Sequence, residues 1–160
     1  MKKLYLIRHA KSVKSPLYEK DLERPLDSRG NKDAYRMALY CKENLNAPDL
    51  FLSSDSVRTM QTMDPFESCF PDTPVRKEHR IYDAPMERLE EIISATDESV
   101  NVLYVFGHNP GLQELVSKLI QNAGSFPTCS VAVFGSEGKT WKEFFEKRTM
   151  LIEFLTPKIV

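Results

Sequence analysis

Leu4-Tyr5-Leu6-Ile7-Arg8-His9 is an apolar run that stops abruptly on a cation and an imidazole. Four consecutive apolar residues read as a strand buried on both faces, as in a parallel sheet. A charged pair directly after such a run is expected only where the strand ends at a site. In open α/β sheets, ligand crevices lie at the carboxyl ends of the strands. Arg8 supplies a permanent cation with forked donors, and His9 a nitrogen that can serve as nucleophile or base near neutral pH. The pair points to chemistry on an anion, most simply phosphate.

Outward from this strand, apolar runs alternate with amphipathic stretches, the pattern of an α/β domain. The first strand is expected from Lys3 to Arg8. Pro16 and Pro25 keep the next segment irregular. Asp27 or Ser28 can cap a helix to about Leu45, with Ala34, Met37, Ala38, Cys41 and Leu45 on its apolar face. Leu50 to Leu52 read as a short second strand ending at Ser53-Ser54. Asp55 to about Glu67 reads as a helix that Pro65 should shorten or kink. Val75 to Glu78 is a third strand, and Glu87 to Ala95 a helix burying Leu89, Ile92 and Ile93. Asn101 to Phe106 is a second buried strand, ending in Gly107-His108-Asn109-Pro110-Gly111. The helix after it carries Leu112, Leu115, Val116, Leu119 and Ile120, with Pro110 in its first turn. Ser130 to Phe134 and Met150 to Leu155 complete the strands, joined through a Trp141-Phe144-Phe145 stretch expected in the core.

The bulk properties narrow the function. A chain of 160 residues suits one domain with a real core. A net charge of -1 offers no global positive field for nucleic acid. No run approaches the ~18 apolar residues of a membrane span, and the apolar start is too short for a signal peptide. Cys41, Cys69 and Cys129 are odd in number and widely spaced, so neither a disulfide framework nor a CxxC metal site is expected. They read as structural residues of a reduced, cytoplasmic protein.

The strand–polar junction occurs again. The Asn101–Phe106 strand ends at His108, and the short second strand leads through Ser53-Ser54 to Arg58. With parallel strands, these ends share one edge of the sheet. Two histidines and two arginines then meet in one crevice. A transferring phosphoryl group needs that inventory, because fixed cations and donors stabilise the charge spread over its equatorial oxygens. No clustered carboxylate set suggests a metal, and no cofactor is expected.

These residues resemble a known family. Arg8-His9-Ala10 is similar to the Arg-His-Gly signature of the histidine phosphatase superfamily. Ser54-Asp55-Ser56-Val57-Arg58-Thr59-Met60-Gln61-Thr62 resembles its Ser-Pro-x-x-Arg-x-x-Gln-Thr segment. Arg24-Pro25-Leu26, with Gly30 four residues on, resembles its Arg-Pro-Leu-Thr-x-x-Gly segment, and Gly107 to Gly111 its second-histidine motif. Order and spacing suit the short, SixA-like branch of phosphohistidine phosphatases across the chain. The resemblance implies a phosphoglycerate mutase-like fold over residues 1–160, a three-layer α/β/α sandwich with a mostly parallel central sheet. It implies that His9 is the nucleophile and that Arg8, Arg58 and His108 form the phosphate pocket, where His108, if protonated, adds charge to the transition state. Ser12 and Asn109 are further candidates to hydrogen-bond the phosphate. The expected partner is a phosphohistidine protein or a small phosphorylated molecule.

Two departures bear on the chemistry. Ala10 stands where glycine is usual, and Asp55 where proline is usual. Larger relatives use a glutamate after the third strand as general acid. Matching that position onto Ile81-Tyr82-Asp83 puts Asp83 near the role, one methylene shorter. A phosphoramidate leaves more readily than an alkoxide, so a weak or absent acid favours an N–P bond substrate. The expected activity is a metal-independent protein phosphohistidine phosphatase with a shallow, open pocket. The alternatives are a phosphatase of small esters with Asp83 as acid, or a non-catalytic module that binds phosphorylated partners. His79 reads as a surface residue, and Lys11, Lys14 and Lys20 as a solvated loop face.

Overall fold

The chain alternates strand and helix through most of its length. The computed structural model describes residues 1–160, with every side chain but that of Ser15. β1 spans Lys2–Arg8, α1 Ser28–Asn44, β2 Leu50–Ser53, α2 Val57–Cys69 and β3 Val75–Lys77. α3 spans Met86–Ser94, β4 Val102–Gly107 and α4 Gly111–Ile120. β5 (Val131–Ser136), α5 (Trp141–Glu146) and β6 (Thr149–Leu155) complete the order.

The six strands form one sheet in the order β3-β2-β4-β1-β5-β6. β1 pairs parallel with β4, and β2 parallel with both β4 and β3. β5 runs antiparallel to β1 and to β6. The sheet is thus mostly parallel, and the carboxyl ends of β1 to β4 lie along one edge.

Side-chain alternation along each strand supplies two cores, one per face. Leu4, Leu6, Leu52, Leu103 and Val105 pack under α3, α4 and α5 against Leu89, Ile92, Leu112, Leu115, Trp141 and Phe144. Tyr5, Ile7, Phe51, Tyr104 and Phe106 pack under α1 and α2 against Ala34, Met37, Cys41, Met63 and Phe66. That is the expected three-layer sandwich. Apolar residues on both faces explain why β1 and β4 read as unbroken hydrophobic runs.

Local chemistry sets the helix starts. The Asp27 side chain accepts the Gly30 N–H at 2.7 Å and caps α1. Ser56 caps α2 by accepting from the Thr59 N–H at 3.3 Å. Pro65 neither shortens nor ends α2, which continues to Cys69. The helix loses one backbone donor there, while buried Met63 and Phe66 on either side hold it to the sheet.

Candidate active site

The carboxyl ends of the four parallel strands each deliver part of one cavity. β1 ends at Arg8 and hands on to His9. β2 runs into Ser54 and the first turn of α2, which carries Arg58. β3 leads through a 3-10 turn, His79–Ile81, to Tyr82 and Asp83. β4 ends at Gly107, directly before His108. Arg8, His9, Arg58, Tyr82, Asp83 and His108, with Lys11, Ser12, Asp21, Arg24, Asn109 and Thr128, line a cavity of about 530 Å³.

His9 is buried at its floor, only 7% exposed. Its backbone N–H donates to the Gly107 carbonyl at 3.1 Å, so β1 and β4 fix where it sits. Its Nδ1 lies 2.8 Å from the Ala10 carbonyl oxygen. A carbonyl can only accept, so Nδ1 carries the proton and Nε2 keeps the lone pair. Burial lowers the His9 pKa to about 4, helped by the Arg58 and Arg8 charges and opposed by the Ala10 hydrogen bond. The ring is therefore neutral and nucleophilic at pH 7.

The His108 ring centre lies 5.3 Å from that of His9. Its Nε2 is 2.9 Å from Ser54 Oγ and 3.3 Å from Thr59 Oγ1. Its Nδ1 is 3.4 Å from Arg58 Nη2, which can only donate. The network therefore puts the His108 proton on Nε2. Burial, then His9 and Arg58, lower its pKa to about 3. His108 is thus neutral near pH 7 with these groups alone around it. Burial is the larger cause; the Arg58 and Arg8 charges that add to it suit an anion, and a bound phosphoryl dianion opposes them.

Arg8 and Arg58 each have a buried Nε without a hydrogen-bond partner among the described residues. Burial and the neighbouring Arg58 lower the Arg8 pKa from its ordinary value. Two guanidiniums and two neutral imidazoles in one concave space can bind a phosphoryl group and present a nitrogen nucleophile to it.

Comparison with known proteins agrees with this geometry. The profile of the histidine phosphatase superfamily (branch 1) matches residues 4–111. The chain belongs to the histidine phosphatase superfamily. An uncharacterized chloroplastic protein of Arabidopsis thaliana is 31% identical over 154 residues, covering 90% of this chain and 71% of the relative. The structure of a candidate phosphohistidine phosphatase SixA from Agrobacterium tumefaciens superposes with a TM-score of 0.85 at 28% identity, over 98% of both chains. The protein histidine phosphatase SixA, solved with tungstate, gives a TM-score of 0.82 at 19% identity over 98% of this chain and 97% of that one. The SixA-like fold of this histidine phosphatase is therefore the one its motifs implied.

The other expected residues of this histidine phosphatase divide. Ser12 lines the cavity, and its Oγ accepts from Arg24 Nη1 at 2.9 Å. Asn109 also lines it, but its amide N–H₂ donates to the Phe126 carbonyl at 2.9 Å. What Asn109 leaves free is Oδ1, an acceptor, which a phosphoryl oxygen cannot use. Asp83 stands exposed at the rim with a left-handed φ of 53°, and has no hydrogen-bond or ion-pair partner among the described residues. The Ala10 methyl is fully buried in the α1–α2 core, away from the cavity. His79 is on the surface, but Asp55 holds its Nδ1 at 2.9 Å.

Asp21, Tyr82 and Arg24 are cavity residues to which the sequence assigns no role, and they form one network. Arg58 Nη1 donates to the Asp21 carbonyl oxygen at 2.8 Å, and Nη2 to its Oδ2 at 3.0 Å. The Tyr82 hydroxyl donates to Oδ2 at 2.5 Å, and Arg24 Nε to Oδ1 at 2.8 Å. Burial pushes the Asp21 carboxyl up, but the Tyr82 and Arg24 hydrogen bonds and the Arg58 charge hold it well below the usual carboxylate range. The Tyr82 ring meets His108 edge-on at 5.4 Å and stacks beneath the Arg58 guanidinium at 5.9 Å. Asp21 lies three residues before Arg24 of the Arg-Pro-Leu segment, and Tyr82 directly before Asp83. Both sat beside recognised motifs.

Proposed function

We propose that this histidine phosphatase removes the phosphoryl group from phosphohistidine on a protein, through a covalent intermediate on His9. One observation carries the reading. A neutral, buried His9 with a free Nε2 lone pair sits among Arg8, Arg58 and His108 at the floor of a cavity open to solvent. His9 Nε2 attacks phosphorus as the substrate N–P bond breaks, and the electron pair of that bond returns to the leaving imidazole nitrogen. Arg8 and Arg58 hold the equatorial oxygens, and His108, which takes up a proton from solvent as the dianion binds, adds a third donor. Water then cleaves the phosphoryl group from His9 and releases inorganic phosphate.

The nature of the leaving group favours phosphohistidine over an ester. Asp21 is held ionised by its partners and cannot donate a proton. A phosphoramidate has less need of such donation than an alkoxide, for which general acid catalysis is typically worth ~10²–10⁴ in rate. The exposed rim at Lys11, Asp21 and Asp83 leaves room for a side chain on a folded protein. The likeness to SixA supports the same substrate class. Among the described residues, no group of three or more His, Cys, Asp or Glu side chains is placed to hold a metal ion.

The test follows phosphate release from a phosphohistidine-bearing protein. The wild type should turn it over, without inhibition by a chelator, and trap acid-labile phosphate on itself. His9→Ala should lose both turnover and label. Equal turnover by His9→Ala would remove His9 as nucleophile. A second reading, a phosphatase of small esters, draws on the position of Asp83 at the cavity rim, where it could protonate an alkoxide.

A further inference from the structure

Asp21 puts a negative charge into a cavity built for an anion. A carboxylate there repels a phosphoryl dianion, so its presence needs a chemical reason. Holding Arg58 is one. Yet a backbone carbonyl already does part of that, since Arg58 Nη1 donates to the Asp21 main chain. The carboxylate itself takes three hydrogen bonds, from Arg24, Arg58 and Tyr82. A carboxylate offers about four acceptor positions. One remains, and the side chain is 43% exposed.

Position then matters. The nucleophile lies on the floor, buried. In-line displacement puts the leaving group opposite it, toward the open side, where Asp21 and Tyr82 stand. A phosphohistidine whose second ring nitrogen is protonated carries a cation on that side. A phosphate ester offers none. A repulsive charge that one substrate class neutralises and another does not is a means of discrimination.

We propose that Asp21 is the leaving-group specificity residue, its carboxylate accepting the N–H of the phosphohistidine ring that is protonated on its second nitrogen and departs as imidazole. This deepens the phosphohistidine reading and rests on it. As His9 Nε2 forms its bond to phosphorus, the substrate N–P bond breaks and its electron pair stays on the substrate nitrogen. The second nitrogen keeps its proton, so a neutral imidazole leaves. Asp21 stays ionised throughout and transfers no proton.

The test measures kcat/KM for a phosphohistidine peptide and for p-nitrophenyl phosphate with wild type, Asp21→Asn and Asp21→Glu. Wild-type turnover of the peptide tests the underlying reading separately; without it, that reading and this inference both fall. Asp21→Asn should lower the ratio of peptide to ester kcat/KM roughly tenfold or more, the scale of a charge-assisted hydrogen bond. Asp21→Glu keeps the charge and should recover most of that ratio. Equal losses on both substrates would make Asp21 a support for Arg58 alone and overturn the inference, leaving the phosphohistidine reading intact. If Asp21→Asn does not fold, the glutamate variant decides, because a ratio about tenfold below wild type despite the retained charge also overturns it.

Discussion

His9 Nδ1 lies 2.8 Å from the carbonyl oxygen of Ala10, the next residue in the chain. The contact fixes the tautomer without help from any other side chain and leaves Nε2 free. Because it also favours the protonated ring, it acts against the burial that keeps His9 neutral. Burial wins, and the pKa falls to about 4.

Acid stability should report this. His9 and His108 both titrate lower in the folded protein than the ~6.5 of a free histidine. Between these values the unfolded chain binds more protons, so lowering the pH favours unfolding. The stability the neutral rings allow is complete above pH ~6.5 and is lost as pH falls through about 4 for His9 and about 3 for His108. Thermal melts should therefore decline over that window. A His9→Asn/His108→Asn variant should show a flatter profile there. An unchanged slope would mean that the imidazoles are not buried in the neutral form.

Arg58→Lys tests the fork rather than the charge. The guanidinium meets the Asp21 carbonyl, the Asp21 carboxylate and His108 Nδ1 at once. A lysine ammonium cannot span these positions as a planar donor set. We expect kcat to fall roughly 10²–10³-fold, the scale of losing a donor to a developing oxyanion. Tungstate affinity should fall with it. Lysine retaining full kcat would show that only a point charge is needed.

Asp83→Asn separates the two substrate classes. An acid at this position serves an alkoxide more than an imidazole. If Asp83 donates a proton, ester hydrolysis should slow by ~10² or more while phosphohistidine hydrolysis stays within a few-fold. If it does not, both rates should stay near wild type. A side chain with no hydrogen-bond or ion-pair partner among the described residues favours the second outcome.

The residues legible in the sequence are those whose setting is local. β1 and β4 announce themselves because burial on both faces removes polar residues from the run. Arg8, His9 and His108 follow because each comes directly after such a run. Arg58 needed the parallel arrangement that places the end of β2 beside them. Asp21 was not legible, because what gives it meaning is Arg58, 37 residues away. Before folding it is one charge among several in a polar loop. The protonation state of His108 was equally hidden, since it depends on which charges the fold gathers around it. The Asn109 donor looked available because nothing in the sequence says that Phe126 brings its carbonyl there.

Gly30 links the Arg-Pro-Leu segment to the site, packed against the Lys11 backbone. A Cβ at this position would lie 2.0 Å from the Lys11 carbonyl oxygen and 3.0 Å from the Lys11 nitrogen. Both are backbone atoms, so no rotamer change relieves the clash. The Asp27 N–H donates to that same Lys11 carbonyl at 3.0 Å, which ties the start of α1 to the chain leaving His9. Gly30→Ala must push Lys11 away or shift the first turn of α1. Overpacking of this kind typically costs about 1–3 kcal/mol. The displacement runs toward Ser12, whose hydroxyl Arg24 holds at 2.9 Å, and through Arg24 to Asp21. We expect a lower denaturation midpoint together with a loss of kcat/KM, although Gly30 does not line the cavity. A destabilised variant with wild-type kcat/KM would show that the strap from Lys11 to Arg24 is not what sets the position of Asp21.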